Sequence, residues 1–220
     1  MKRYEVKLTG ETPLLMHHDN LKFERVLTQW KLDPATKKLS VAGDDRTPAF
    51  RWIGYLYVEG NLVVIPADNL MTVLREGGTK VNTGQGQKTF KAQTQSGIVV
   101  DQVAWPLLVN GAAIPYEPIK KLVEQPNFEE HQKAVEAMGF ELFVKRAKIG
   151  AAKHVRVRPR FDNWSTTGTV TVLDEMITGQ ILQTILTVAG AYCGICDWRP
   201  SSPKAPGSFG KFTAEVTEIE

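Results

Sequence analysis

Residues 61–78 read NLVVIPADNLMTVLREGG, and the order of residue types within them decides the fold. Asn61 to Ile65 carries two valines and an isoleucine, β-branched residues that favour an extended, pleated backbone. Pro66 follows; it suits the first turn of a helix, where the N–H it lacks would have no partner anyway. Leu70, Val73 and Leu74 then recur at i, i+3 and i+4, one apolar stripe on a helix, and Gly77-Gly78 stops it. The stretch predicts a strand that runs directly into an amphipathic helix.

Working outward, RYEVKLTGETPLLM (3–16) predicts an opening strand with Tyr4, Val6 and Leu8 on one face, until Thr12-Pro13 breaks the ladder. Ile98–Val109, residues 140–161 and Gly168–Leu173 read as extended. Ile177, Ile181, Ile185, Val188, Ala189 and Tyr192 form a second helical stripe, which ends near Gly190 or Gly194. A loop rich in Pro, Ser and Gly (199–208) leads to a last strand, Lys211–Ile219. Two helices separated by a paired β region give the split βαβ order. The expected class is α+β, with a ferredoxin-like or RRM-like βαββαβ core in one domain over 1–220. Insertions are expected at 20–60, 78–97 and 112–140. The first contains turns at Asp33-Pro34 and at Gly43-Asp44-Asp45, then the aromatic run RWIGYLYVEG. The second is rich in Gly, Gln and Thr and predicts a long mobile loop. The third is acidic and helical, interrupted near Pro126.

The 220 residues are 42% hydrophobic and 23% charged, enough to build a core without disulfides or metals. No run of about 18 apolar residues predicts a membrane span, and MKRYEVKLTG has no signal-peptide core, so a cytoplasmic protein is expected. The net charge of +3 says little, but its distribution says more. No acid occurs from Gly77 to Val100, where Lys80, Lys88 and Lys91 lie. None occurs from Leu142 to Phe161 either, where Lys145, Arg146, Lys148, Lys153, Arg156, Arg158 and Arg160 are clustered. Two acid-free basic segments suggest one positive face.

The second segment is the more informative. Val155 and Val157 alternate with His154, Arg156, Arg158 and Arg160, so a strand here has an apolar and a cationic face. A row of guanidiniums must be solvated or matched by anions, and phosphate matches it with bidentate hydrogen bonds. Phe161 and Trp164 follow as candidate stacking platforms for unpaired bases. The plain structural reading is an edge strand whose cations block aggregation. Lys88, Phe90 and Lys91 on the 78–97 loop could close over a bound strand. Cys193-Gly-Ile-Cys196 follows a helix rather than opening one, and no second pair completes a zinc set, so a packing role is expected. His17, His18 and Asp19 read as a polar turn. No nucleophile elbow, Walker loop, dinucleotide fingerprint or HExxH occurs. No catalytic residue, metal or cofactor is assigned.

YEVKLTGETPLLMH, EGNLVVIPADNLMTVLREGG, the RVRPRF strand and AGAYCGICDWRPSSPKAPGSFGKFTAEV together resemble the RAMP superfamily of CRISPR-associated proteins, in particular its guide-RNA-coating backbone subunits. Ile65-Pro66, Leu70 and Leu74-Arg75 match the family's turn into its first helix. Gly194, Gly207 and Gly210 stand where the family's glycine-bearing loop leads to the final strand, with Trp198-Arg199 inside it. The resemblance covers about half the chain and extends to phage and mobile-element relatives. It implies a ferredoxin-like fold, RNA binding with Arg199 on the RNA-facing loop, and assembly along a strand or with other subunits of a ribonucleoprotein. The aspartate with which some backbone subunits cut target RNA has no counterpart.

The function expected is non-catalytic binding of single-stranded RNA, with DNA possible, and no membrane partner. Two alternatives stand beside it: an endoribonuclease using His17, His18 or His154, and a structural homo-oligomer that meets nucleic acid incidentally.

Overall fold

The structure, a computed structural model, describes residues 1–149, 152–203 and 205–219, the side chains at 148, 149 and 152 excepted. Its elements begin with β1 (Lys2–Gly10), β2 (Leu14–Leu15) and α1 (Leu21–Leu32). A 3-10 helix at Ala49–Tyr55 precedes β3 (Val58–Glu59), β4 (Leu62–Pro66) and α2 (Ala67–Gly78). Then come α3 (Lys91–Ser96), β5 (Ile98–Val100), β6 (Ala104–Pro106), β7 (Leu108–Val109) and β8 (Ala112–Ala113). The chain continues through α4 (Tyr116–Lys121), α5 (Phe128–Ala137), β9 (Glu141–Ile149), β10 (Ala152–Phe161) and β11 (Trp164–Val172), and closes with α6 (Gly179–Tyr192) and β12 (Phe212–Glu218).

The class is α+β, and the chain divides into two compact units, each assembled from separate segments. The first comprises Met1–Leu15, Val64–Ala113 and Asp162–Glu220; the second comprises Met16–Val63 and Ile114–Phe161.

In the first unit β1 lies between β12 and β11, antiparallel to both, and β5 then β7 pair along the far edge of β11. The order β12-β1-β11-β5 follows the chain as strand, helix α2, strand, strand, helix α6, strand. The 98–109 segment is therefore not one strand. It pairs with β11 at each end, and its middle leaves as β6 to pair with the last three residues of β4. Tyr4, Val6 and Leu8 point inward, as the period of two predicts; Val6 and Leu8 meet Leu70 and Val73 of α2 and Leu186 of α6, and the Tyr4 ring lies beside Gly179 at the start of α6. Two glycines set how closely α6 packs. A Cβ on Gly77 would lie 2.6 Å from the Ile185 carbonyl, and one on Gly190 would lie 1.9 Å from the Phe212 carbonyl. Tryptophans fill the sheet's other glycine sites: Trp105 covers Gly168, and Trp164 covers Gly10.

The 78–97 region is not the open loop its composition predicts. Asn82 and Thr89 form a bridge, the intervening turn is tied by the Asn82 side chain, and α3 follows at once. Phe90 and Thr94 are buried and anchor the segment. Phe90 was its one large apolar residue, and that single side chain outweighs the polar composition around it.

The second unit contains α1, the 3-10 helix, α4, α5 and the β9–β10 hairpin. Trp52, Phe140, Phe161 and His131 form its aromatic centre, with ring separations of 5.0 Å for Phe140–Phe161 and 6.0 Å for Trp52–His131. His131 is fully buried and uses both ring nitrogens. Trp52 Nε1 donates to Nδ1 at 3.0 Å, and Nε2 faces the Gln125 carbonyl at 2.8 Å. These partners assign the neutral tautomer with the proton on Nε2.

Two outcomes follow from this packing. Gly190→Ala gains up to about 1 kcal/mol of helix propensity but drives a methyl into the β12 backbone, an overpacking cost of about 1–3 kcal/mol. A lowered urea midpoint is expected; a raised one would show that α6 can shift freely. Burial pushes the His131 pKa below 6.5, with the hydrogen bond to Gln125 opposing it. The unfolded chain thus takes up a proton that the folded chain refuses. Stability contributed here is complete above pH 6.5 and is lost as pH falls from there toward the depressed folded value. The urea midpoint should drop between pH 7 and pH 5, and His131→Phe should shrink that drop; a wild-type midpoint unchanged over this range contradicts the burial of a neutral His131.

Candidate nucleic-acid interface

The two acid-free basic segments belong to different units: 77–100 to the first, 142–161 to the second. In the second unit β9 and β10 pair in register from Arg160↔Glu141 to Ala152↔Ile149. Side chains directly opposite share a face. One face therefore carries Arg160, Arg158 with Phe143, Arg156 with Lys145, and His154; the other carries Pro159 with Leu142, Val157 with Val144, and Val155 with Arg146. Val157 is wholly buried.

The arginines are not an unmatched row. Residues 43–45 run alongside β10, with Val155 N–H donating to the Gly43 carbonyl (2.9 Å) and Asp45 N–H to the Val155 carbonyl (3.0 Å). This bridge delivers the Asp45 carboxylate, which has no solvent exposure, to the middle of the strand. Oδ1 lies 2.9 Å from Arg156 Nη1 and 3.5 Å from Arg51 Nε, and Oδ2 lies 3.4 Å from Arg158 Nη1. Oδ2 also accepts from the Val157 N–H at 3.3 Å and from the Tyr55 hydroxyl at 3.4 Å. Tyr55 accepts in turn from Arg51 Nε at 2.9 Å, and its ring lies under the Arg158 guanidinium, 4.7 Å from the centroid. Burial first, and the Asp45 charge second, push the Tyr55 phenol above its usual range, so it remains a donor to that carboxylate. Arg160 pairs with Glu141 at 3.5 Å. The premise that these arginines await phosphate is corrected: a carboxylate more than a hundred residues away in sequence already meets Arg156 and Arg158.

What stays accessible is the rest of the hairpin. Lys145, Arg146 and Lys153 are exposed, and the Arg156 side chain keeps 31% of its surface. The side chain of Lys148 lies outside the described residues. His154 is half-buried beneath Gly43, where a Cβ would meet its Nδ1 at 2.3 Å.

The stacking platforms are also corrected. Phe161 and Trp164 are at most 1% exposed, and Phe90 is 4% exposed. Phe161 lies against Phe140; Trp164 covers Gly10 and donates to the Thr12 carbonyl at 2.9 Å; Phe90 anchors the start of α3. A base cannot stack on any of them in this conformation. The open face of the first unit's sheet offers no replacement. Its rows hold Arg3, Glu5, Lys7, Thr167, Thr169 and Glu215 among others, and among the described residues it has no aromatic ring.

Arg199 is held by Glu76 (3.0 Å) and the Ser201 hydroxyl (2.9 Å). Lys88 and Lys91 line a cleft in the first unit. Cys193 and Cys196 are free, buried thiols; burial pushes the first upward and the second up to about 12, so neither is a reactive thiolate. Among the described residues no group of three His, Cys, Asp or Glu side chains could hold a metal ion, and no helix is long and apolar enough to cross a membrane. His18 donates from Nδ1 to the Leu56 carbonyl at 3.2 Å and stacks on Tyr57, while exposed His17 meets the edge of Tyr55.

Removing the Asp45 carboxylate would strand the guanidiniums around it. Asp45→Ala should destabilise the protein by about 3–5 kcal/mol, the scale for breaking a buried ion pair from one side. A denaturation midpoint within error of wild type would show that the arginines are satisfied by solvent instead.

No family model matches the chain, and no curated protein matches it in sequence.

Proposed function

We propose that this protein binds single-stranded nucleic acid, RNA before DNA, along the β9–β10 hairpin, and does not cut it. The observation that carries this reading is the hairpin's charge of a single sign, carried on both of its faces. Between Leu142 and Phe161 it has no carboxylate, and Lys145, Arg146 and Lys153 stand in solvent. The buried Asp45 supports the reading as well as correcting it. By fixing Arg156 and Arg158 it stiffens β10, the strand that carries Lys153 and pairs with Lys145 and Arg146 on β9, and less backbone freedom remains to be lost on binding. Backbone phosphates are the natural counter-charge, since contacts to them need no base order.

The element order of the first unit supports a ferredoxin-like core, and with it the RAMP-superfamily resemblance. On that basis we further propose assembly of several copies, or of other subunits, along the bound strand. A second reading, an endoribonuclease, has one observation in its favour: the His17 ring and the Arg158 guanidinium both pack on Tyr55.

Since Arg156 and Arg158 hold the fold together, the informative variant removes the exposed cations. Fluorescence anisotropy of labelled single-stranded RNA and DNA at two salt concentrations should show salt-sensitive binding. The triple variant Lys145→Ala/Arg146→Ala/Lys153→Ala should lower the slope of log K against log salt by about 2, at ~0.7 per phosphate contact on single strands. An unchanged slope and affinity would overturn the hairpin assignment. Shortened RNA in the same samples, lost in His17→Ala, would favour the nuclease.

A further inference from the structure

We infer that the cleft between the 82–89 turn and α3 is a nucleotide pocket that takes one phosphate and a base bearing an exocyclic amino group, in preference to uracil. This rests on the single-strand reading but concerns a different unit and makes a narrower claim.

The cleft has a volume of about 610 Å³, room for a nucleotide, and its walls are built rather than loose. The Asn82 side chain accepts from Gly84 N–H at 2.6 Å and donates to the Gly86 carbonyl at 3.0 Å. Thr83 N–H donates to the Lys88 carbonyl at 2.9 Å, which closes the turn and fixes the backbone of Lys88. On the other side, buried Phe90 and Thr94 anchor α3, from which Lys91, Ala92 and Gln93 face the cleft.

Three features define the ligand. Lys88 and Lys91 line the cleft with no acid beside them, and neither is in an ion pair among the described residues. They call for an anion. Gln93 Oε1 is shielded from solvent and has no hydrogen-bond partner, an acceptor left over where the great majority are satisfied. Its amide is held only by a 3.6 Å contact from Nε2 to the Met176 sulfur, which accepts a hydrogen but cannot donate one, so the oxygen is the unsatisfied end. That hold is weak, so the inferred ligand needs only a turn of the Gln93 side chain to reach Oε1. Met176 itself is 41% exposed and offers a polarisable thioether to a flat ring.

A phosphate for the lysines, a ring face for Met176 and an N–H for Gln93 together describe a nucleotide. The N–H narrows the base. Adenine N6, cytosine N4 and guanine N2 are amino donors, whereas uracil has no amino group and sets its single ring N–H between two carbonyl oxygens that would oppose Oε1.

Adenosine and uridine 5′-monophosphate, titrated into the whole isotope-labelled protein, provide the test. The Gln93 side-chain amide and the Met176 methyl should shift with the adenine nucleotide, at an affinity about fivefold tighter than for uridine, the discrimination of one hydrogen bond. Gln93→Ala should erase the difference while Lys88→Ala weakens both nucleotides alike. Equal affinities, or a preference that survives Gln93→Ala with the fold intact, would overturn the pocket. Anisotropy with twelve-nucleotide homopolymers separates the two claims. If no homopolymer binds but the adenine nucleotide still shifts Gln93, the single-strand reading fails and the pocket stands. If every homopolymer binds equally and neither mononucleotide shifts Gln93, the pocket fails and the hairpin reading stands.

Discussion

A carboxylate removed from water must find positive partners close by, and Asp45 finds them on two elements of the second unit. Arg51 comes from the 3-10 helix, and Arg156 and Arg158 come from β10. Taken alone, such a buried cluster adds little net stability, because desolvation of each ion offsets most of the attraction. Its effect is on arrangement. Segment 43–45 can lie along β10 only where its carboxylate meets the guanidiniums, and the guanidiniums are held in one conformation in return. Tyr55 links the cluster to the 3-10 helix through its hydroxyl and to Arg158 through its ring. The cationic hairpin has its shape because this one anion is buried beneath it.

The same cluster separates two kinds of arginine and lysine that look alike in sequence. Arg156, Arg158 and Arg160 are engaged with Asp45 or Glu141, whereas Lys145, Arg146 and Lys153 face solvent. The first set builds the surface and the second is the surface. Any binding of polyanions here would rest on the second set, and a loss of binding after changing the first set would be read through a loss of structure.

Much of the first unit is legible in its periodicities. The alternation of Tyr4, Val6 and Leu8 and the stripes of α2 and α6 are carried by nearest neighbours in the chain, so a short window suffices to read them. The broken 98–109 segment is less legible, because whether Trp105 faces β11 or departs depends on Gly168, which leaves the space its ring fills. In the second unit α1 has little to mark it, since Leu27 is its only fully buried residue. The pairing of Asp45 with Arg156 spans 111 positions, and no local pattern announces it. The burial of Phe161 was available, however. It continues the inward row of Val155, Val157 and Pro159 at the same parity, and its place beside the arginines in sequence puts it on the opposite face of the strand. Trp164 lies beyond the hairpin in the other unit, packed on a glycine that no window around it contains.

The central claim is that the β9–β10 hairpin is where nucleic acid lies. The most direct measurement is photo-crosslinking of single-stranded RNA carrying 4-thiouridine, followed by identification of the crosslinked peptides. Crosslinks concentrated in 142–160, and diminished when Lys145, Arg146 and Lys153 are replaced by alanine, are the expected result. Crosslinks that avoid this segment and fall on the open sheet face of the first unit would contradict it.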